Sequence, residues 1–374
     1  MNRKILGVCI LLAAVAAVAA TAVGVSGGAT KKQLQVALID PGTQNDGSWG
    51  QAWAEGAKLA AKKYGVKLSI VGNVNTPDQY IAQGSGFGSK GYDLVIMANG
   101  ILYDATQKLA EQFPKTYWVM SPVDFVDRAG AAAKFRPNSG VVDPEQQDGA
   151  FRAGVLAGLI TKTNTIASVN GYAFPALTRQ PEAFVIGARC VNSKIKFEQK
   201  YINSWNDVAI AKAAAQAFIG DGADVLFGAT NQAAQGMYEA AKGASQPTYV
   251  IASYYDSHKQ APSVVLTSVL YNLQGVAFDL IKRLATKQLP QRFFKSYTFA
   301  NLGVGKLAPF YNLASAVPAS AKAALAAIDK RIISGQIRIP DETRGIDGKG
   351  KNAIGAPNSA AKVNVRSIGC KPVS

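Results

Sequence analysis

Within five residues, Asn45-Asp46-Gly47-Ser48-Trp49 sets an amide, a carboxylate, a hydroxyl and an indole side by side. Similar groups recur at Asn99-Gly100, at Ser121 with Asp124, and in Ser204-Trp205-Asn206-Asp207, Thr230-Asn231-Gln232 and Tyr254-Tyr255-Asp256. The chemistry these types support is recognition. An indole offers a flat apolar face to a planar ring, and a few amides and carboxylates around it read the ring's polar edge. Trp205 stands before a helix much as Trp49 does, so one indole from each region could sandwich a ligand. The competing reading, two independently packed core tryptophans, stays open here because large aromatics are usually core.

Bond-making chemistry finds little support. The single histidine, His258, sits in a Tyr-Asp-Ser-His-Lys loop with no metal-ligand spacing around it. No Gly-x-Ser-x-Gly elbow follows a strand, and no Cys-x-x-Cys occurs. The run Gly84-Ser85-Gly86-Phe87-Gly88-Ser89-Lys90 fails as a phosphate loop, since a P-loop needs Gly-Lys-Ser/Thr after a strand and opening a helix. It reads instead as a loose helix end and turn. No catalytic residue, metal or cofactor is expected.

The elements that must position these groups alternate. Leu34 to Ile39 reads as a strand, and Trp49, Trp53, Gly56 and Ala60 mark one face of a helix. Strands at Val66 to Val71, Tyr92 to Met97 and Tyr117 to Met120 interleave with helices opened by Thr76-Pro77-Asp78 and centred on Ala105 to Gln112. The pattern restarts with helices over Glu145 to Ile160, Thr178 to Ala188 and Asp207 to Ile219 and a strand over Thr165 to Val169. Gly91-Tyr92-Asp93-Leu94-Val95-Ile96 is matched by Gly222-Ala223-Asp224-Val225-Leu226-Phe227. Tyr117-Trp118-Val119-Met120-Ser121 is matched, after nearly the same interval, by Tyr249-Val250-Ile251-Ala252-Ser253. Alternation and repetition predict an α/β fold of two doubly wound parallel-sheet lobes joined by a hinge. Residues 31–142 with about 268–290 form lobe 1, 143–267 with about 291–340 form lobe 2, and 341–374 form a tail. The stretch Val264 to Thr267 and the helix after Asn272 are expected to cross back to lobe 1.

At 374 residues the chain suits two domains, and 48% hydrophobic with 17% charged residues marks it as globular. Arg3 and Lys4 precede an apolar run from Ile5 to Val25 and the small residues Ser26 to Ala29, so residues 1–30 read as a secretory signal peptide. An uncleaved anchor is the alternative. Cys9 precedes most of the apolar run and does not suit a lipoprotein. An exported chain would let Cys190 and Cys370 pair, with free thiols the alternative. The net charge of +16 is spread over helices, as in Lys58, Lys62 and Lys63, without basic runs interleaved with aromatics. A solvated surface is expected rather than a nucleic-acid partner.

In their order along the chain, Asn45 to Trp49, Gly91 to Ile96, Phe151-Arg152-Ala153-Gly154, Glu182 to Gly187, Gly222 to Val225 and Leu266-Thr267-Ser268 resemble the basic membrane protein family of substrate-binding proteins. The similarity covers roughly Gln33 to Pro340. It implies a type I periplasmic binding protein that passes a purine nucleoside to an ABC transporter permease from the periplasmic or extracytoplasmic side. It also implies a purine stacked between two aromatic residues, usually Phe, which fall on Trp49 and Trp205. The family's Asp after the Tyr117-to-Met120 strand falls on Ser121, and its Lys falls near Tyr271, whereas Asp256 is retained. Two charged contacts are thus lost, which makes a bare nucleobase or another flat heterocycle as credible as a nucleoside. The expected ligand set is Asn45, Asp46, Trp49, Asn99, Ser121, Trp205, Thr230, Asp256 and Tyr271, in a monomer. A ligand sensor that docks on an envelope receptor without transport is the alternative.

Overall fold

The computed structural model describes residues 32–122, 134–341 and 353–371. Residues 1–30, read from sequence as a signal peptide, Asp124 and part of the tail lie outside them. Strand β1 (Gln35–Ile39) sends Val36 and Leu38 into one apolar cluster and Ala37 and Ile39 into another, as the period of two requires. A strand apolar on both faces needs cover on both, which helices flanking a parallel sheet supply. The first lobe accordingly runs α1 (Trp49–Tyr64), β2 (Lys67–Val71), α2 (Pro77–Ser89), β3 (Leu94–Met97), α3 (Tyr103–Gln112), β4 (Tyr117–Met120) and β5 (Ser139–Pro144).

The start of α2 follows its sequence signal. The Thr76 hydroxyl accepts from the Gln79 N–H and the Gln79 side chain accepts from the Thr76 N–H, with Pro77 in the first turn. Its end follows too. The glycine-rich run from Gly84 forms the last turns of the helix through Ser89, with Gly84 against Leu109 and Trp118 and Gly88 against the Phe113 ring, and the turn comes at Lys90-Gly91. A Cβ at those two positions would stand 2.7 Å and 2.5 Å from its neighbours. Gly84 and Gly88 allow this close packing.

The second lobe repeats the plan with α4 (Gln146–Ile160), β6 (Thr165–Asn170), α5 (Pro175–Val191), β7 (Lys196–Tyr201), α6 (Val208–Gly220), β8 (Val225–Ala229), α7 (Ala234–Lys242), β9 (Tyr249–Ser253) and β10 (Val265–Leu270). Then come α8 (Leu273–Ala285), β11 (Phe293–Tyr297), the single turn α9 (Phe299–Leu302), β12 (Lys306–Leu307) and α10 (Ala319–Ile333). The two sheets have matching orders, β2-β1-β3-β4-β5-β11 and β7-β6-β8-β9-β10-β12. Every pairing is parallel except β10 with β12. The fold is the two-lobed α/β architecture that the alternation predicts.

The chain passes between lobes three times, after β5, after β10 and after β11. Two of these crossings fall elsewhere than the sequence suggests. Strand β10 stays in the second sheet, because Val265, Leu266 and Val269 are buried beside β9, and only α8 crosses back. That helix packs on α1, where the backbone of Gln274 lies on Gly56 and leaves no room for a Cβ. The return comes only after β11, which pairs with β5 in the first sheet. Cys190 on α5 is bonded to Cys370, so the tail is fastened to lobe 2. The tail's Asn358 and Ala360 N–H groups donate to the Glu182 carboxylate at 2.7 and 2.6 Å.

Candidate functional site

In both sheets the strand order reverses beside the first strand, between β1 and β3 and between β6 and β8. Open α/β sheets bind ligands outside the carboxyl ends of strands at such switch points. Here both switch points open onto one cavity. Pro41 and Trp49 reach it after β1, and Ala98, Asn99 and Gly100 after β3. Phe174 and Leu177 follow β6, Trp205 follows β7, Asn231 follows β8 and Tyr254 follows β9. Gln146, at the first crossing, and Pro122 complete the wall. None of these lining residues is charged.

Trp49 opens α1, and its indole N–H donates to the Ala98 carbonyl at 2.9 Å, which fixes the ring against the end of β3. The ring is packed on Trp53 at 5.9 Å and stands perpendicular to Tyr254 of the other lobe. Trp49 is only 6% exposed, so the packing role and the cavity-lining role coexist in one side chain. Trp205 is half-buried, with its ring over Gly171, where a Cβ would stand 2.3 Å away. Tyr172 and Phe174 flank that ring at 5.1 and 6.4 Å.

Of the nine residues in the expected ligand set, the structure brings Trp49, Asn99 and Trp205 to the cavity and places the others elsewhere. Asn45 is exposed and accepts from the Thr43 hydroxyl. Asp46 caps α1, accepting from the N–H groups of Ser48, Gly50 and Gln51 at 2.8 to 3.0 Å. Burial raises its carboxyl pKa and these hydrogen bonds pull it back. Ser121 is fully buried, and the following residue, Pro122, takes the wall position. Thr230 is turned inward, and Asn231 replaces it. A strand end projects alternate residues to opposite sides, so a one-residue slip exchanges a wall residue for a buried one.

Asp256 lines a separate groove with Glu55, Asn272 and Lys306, and accepts from the Tyr311 hydroxyl and from the His258 N–H. His258 itself is stacked on Tyr311 at 4.1 Å. Tyr271 is fully buried behind Tyr254, and its hydroxyl donates to Gln180 Oε1 at 2.8 Å. Burial holds that phenol well above its ordinary pKa.

Gln146, Phe174 and Leu177, with Pro41, Ala98 and Pro122, are wall residues that sequence reasoning does not name, whereas Tyr254 is named beside Asp256 but left out of the expected set. Tyr254 adopts φ 76°, a conformation uncommon away from glycine. That bend turns consecutive side chains apart. The Tyr254 hydroxyl accepts from Gln180 Nε2 at 3.2 Å beneath the cavity, whereas Tyr255 reaches α1 of the other lobe. There its hydroxyl accepts from Gln51 Nε2 and donates to Glu55 Oε1, both at 3.0 Å. Gln260 Nε2 adds a 3.3 Å bond to the Gly47 carbonyl across the same seam.

Among the described residues no group of three or more His, Cys, Asp and Glu could hold a metal, and no helix is long and apolar enough to cross a membrane. The geometry is that of a binding cleft between two lobes.

The family model described as "ABC transporter substrate-binding protein PnrA-like" matches residues 33–342. The ABC transporter nucleoside-binding protein BmpA of Lactococcus lactis is 27% identical over 91% of this chain and 100% of its own. Basic membrane protein A of Borreliella burgdorferi is 26% identical over 63% of this chain and 67% of its own. Among solved structures, an ABC transporter solute-binding protein from Aeropyrum pernix superposes with a TM-score of 0.71 at 17% identity. It covers 82% of this chain and 92% of its own. That last likeness speaks to the fold alone.

Proposed function

Because the chain belongs to the Bmp family of ABC transporter substrate-binding proteins, we propose that its interlobe cleft captures a purine-type nucleobase or nucleoside for delivery to a permease. The carrying observation is that Trp49 and Trp205, from opposite lobes, line one uncharged cavity at the switch points of both sheets. Two indoles supply flat apolar faces, and Asn99, Gln146 and Asn231 supply edge recognition. The nucleoside-binding name of the Lactococcus relative suits the same ligand class.

In this reading the protein works outside the cytoplasm as a monomer and carries out no chemistry on its ligand. Nothing observed favours a receptor-docked sensor over this role. Calorimetric titration with nucleobases and nucleosides tests the proposal, since one of them should give a saturable heat and raise the thermal midpoint. The absence of any response across both sets would sink it.

A further inference from the structure

Resting on the purine reading, the free hydrogen-bonding groups of the cavity separate one kind of purine from another. Gln146 is 2% exposed and Asn231 is 8% exposed, and both line the cavity. Gln146 Oε1 faces the Gln180 amide at 3.4 Å, and Asn231 Oδ1 faces the Ser48 hydroxyl at 3.5 Å. Their NH₂ groups have no acceptor among the described residues. Three other oxygens on the wall are engaged from within: the Ala98 carbonyl receives the Trp49 indole, the Tyr254 hydroxyl receives Gln180 and Asn99 Oδ1 receives the Ile101 N–H at 3.4 Å. What the wall offers a ligand is therefore mainly donors.

A second observation points the same way. Helix α5 begins at Pro175, between the wall residues Phe174 and Leu177. It has no side-chain cap and no acidic residue in its first turn. The partial positive charge of a helix N-terminus is thus left uncompensated beside the cavity, where it favours electronegative atoms.

The geometry points to a ligand whose reading edge carries acceptors: an oxopurine, with Gln146 and Asn231 as the residues that select it over an aminopurine. A 6-oxopurine presents an oxygen beside N7, whereas adenine presents an amino group there. An amide NH₂ meets the first with a hydrogen bond and the second with an opposed donor. Donors that face the cavity unpaired make the wrong partner costly.

The test is titration calorimetry of the full chain with hypoxanthine against adenine and with inosine against adenosine, pairs that differ at the ring edge while the sugar is held constant. The oxo member of each pair should bind about tenfold or more tightly. Adenine or adenosine binding as well as its partner would overturn the inference and leave the purine reading intact. Silence from all four would remove both. Gln146→Glu and Asn231→Asp, each checked for a cooperative thermal transition, replace a donor by an acceptor and should shrink the oxo preference. An unchanged ratio in a folded variant would overturn the role given to that residue. If either variant does not fold, the wild-type comparison still decides the ligand class.

Discussion

The rings of Trp49 and Tyr254 stand at 88° with centroids 5.6 Å apart, one from each lobe. Perpendicular aromatic pairs place a positive edge on a negative face, an attraction of about 0.5–1.5 kcal/mol beyond area burial. The contact exists only when the lobes meet. Trp49 is thereby both a wall of the cavity and a sensor of closure, and its fluorescence should change when a ligand shifts the lobes.

Replacing the two tryptophans should separate binding from stability. Base–aromatic stacking contributes about 1–3 kcal/mol, so Trp49→Ala and Trp205→Ala should each weaken purine binding by about tenfold or more. Trp49 is packed on Trp53 in the core, and truncating a buried Trp costs about 3–5 kcal/mol of folding stability. Trp205 is half-exposed and should lose far less. Calorimetry and thermal unfolding of both variants check this. Unaltered affinity in Trp205→Ala would count against the stacking role.

Tyr255→Phe should loosen the closed state without touching the ligand. The substitution removes the hydroxyl that bridges Gln51 and Glu55. A net hydrogen bond of about 1 kcal/mol corresponds to roughly a fivefold loss of affinity. The loss should appear as faster dissociation in stopped-flow measurements, with the association rate and the thermal midpoint of the unliganded protein little changed. Slower association with unchanged dissociation would argue against a clasp.

The fold was legible because its signals are local and repeated. Buried parallel strands such as Leu94–Met97 are short unbroken apolar runs, and Thr76-Pro77 marks a helix start by itself. Strand β7, Lys196-Phe197-Glu198-Gln199-Lys200-Tyr201, escaped notice because an edge strand carries charge and shows no such run. Strand β11 needs a partner, β5, that lies far away in sequence. Trp49 and Trp205, picked out by residue type and by their place before helices, both line the cavity. Thr230 and Asp256 lie one and two residues from Asn231 and Tyr254, which line it in their stead. Which residue of a strand end faces the cleft depends on backbone direction, and at Tyr254 on a positive φ that nothing in Tyr-Tyr-Asp announces.

Opening the Cys190–Cys370 bond should cost stability and spare binding. The bond joins residues 180 apart, and removing such a link typically costs about 2–5 kcal/mol, largely by freeing the unfolded chain. It holds the tail against α5, and no tail residue is among those that line the cavity. A Cys190→Ser, Cys370→Ser double variant should therefore melt lower while its purine affinity stays within about twofold of the parent, a difference near 0.4 kcal/mol by the usual tenfold-per-1.4 rule. A binding loss matching the stability loss would instead place the tail in the closing mechanism.

Asp148 should make stability fall as pH rises toward neutrality. It lies in the first turn of α4, just past the first crossing, and accepts from the Phe299 N–H just past the third. Its residue keeps some exposed surface, yet desolvation of the carboxyl dominates. Helped by Glu145 and opposed by the Phe299 N–H, Arg179 and Arg152, it pushes the pKa from 3.8 up to about 7. A carboxyl raised in the folded state holds a proton that the unfolded chain has already released. Between about pH 4 and pH 7 the folded form binds more protons, so unfolding becomes easier with each step upward. The thermal midpoint should decline across that window. Asp148→Asn keeps an acceptor for Phe299 but cannot ionise, so its decline should be shallower, and the two proteins should differ most above pH 7. Parallel melting curves for the pair from pH 4 to 8 would show that Asp148 stays ionised at the hinge throughout.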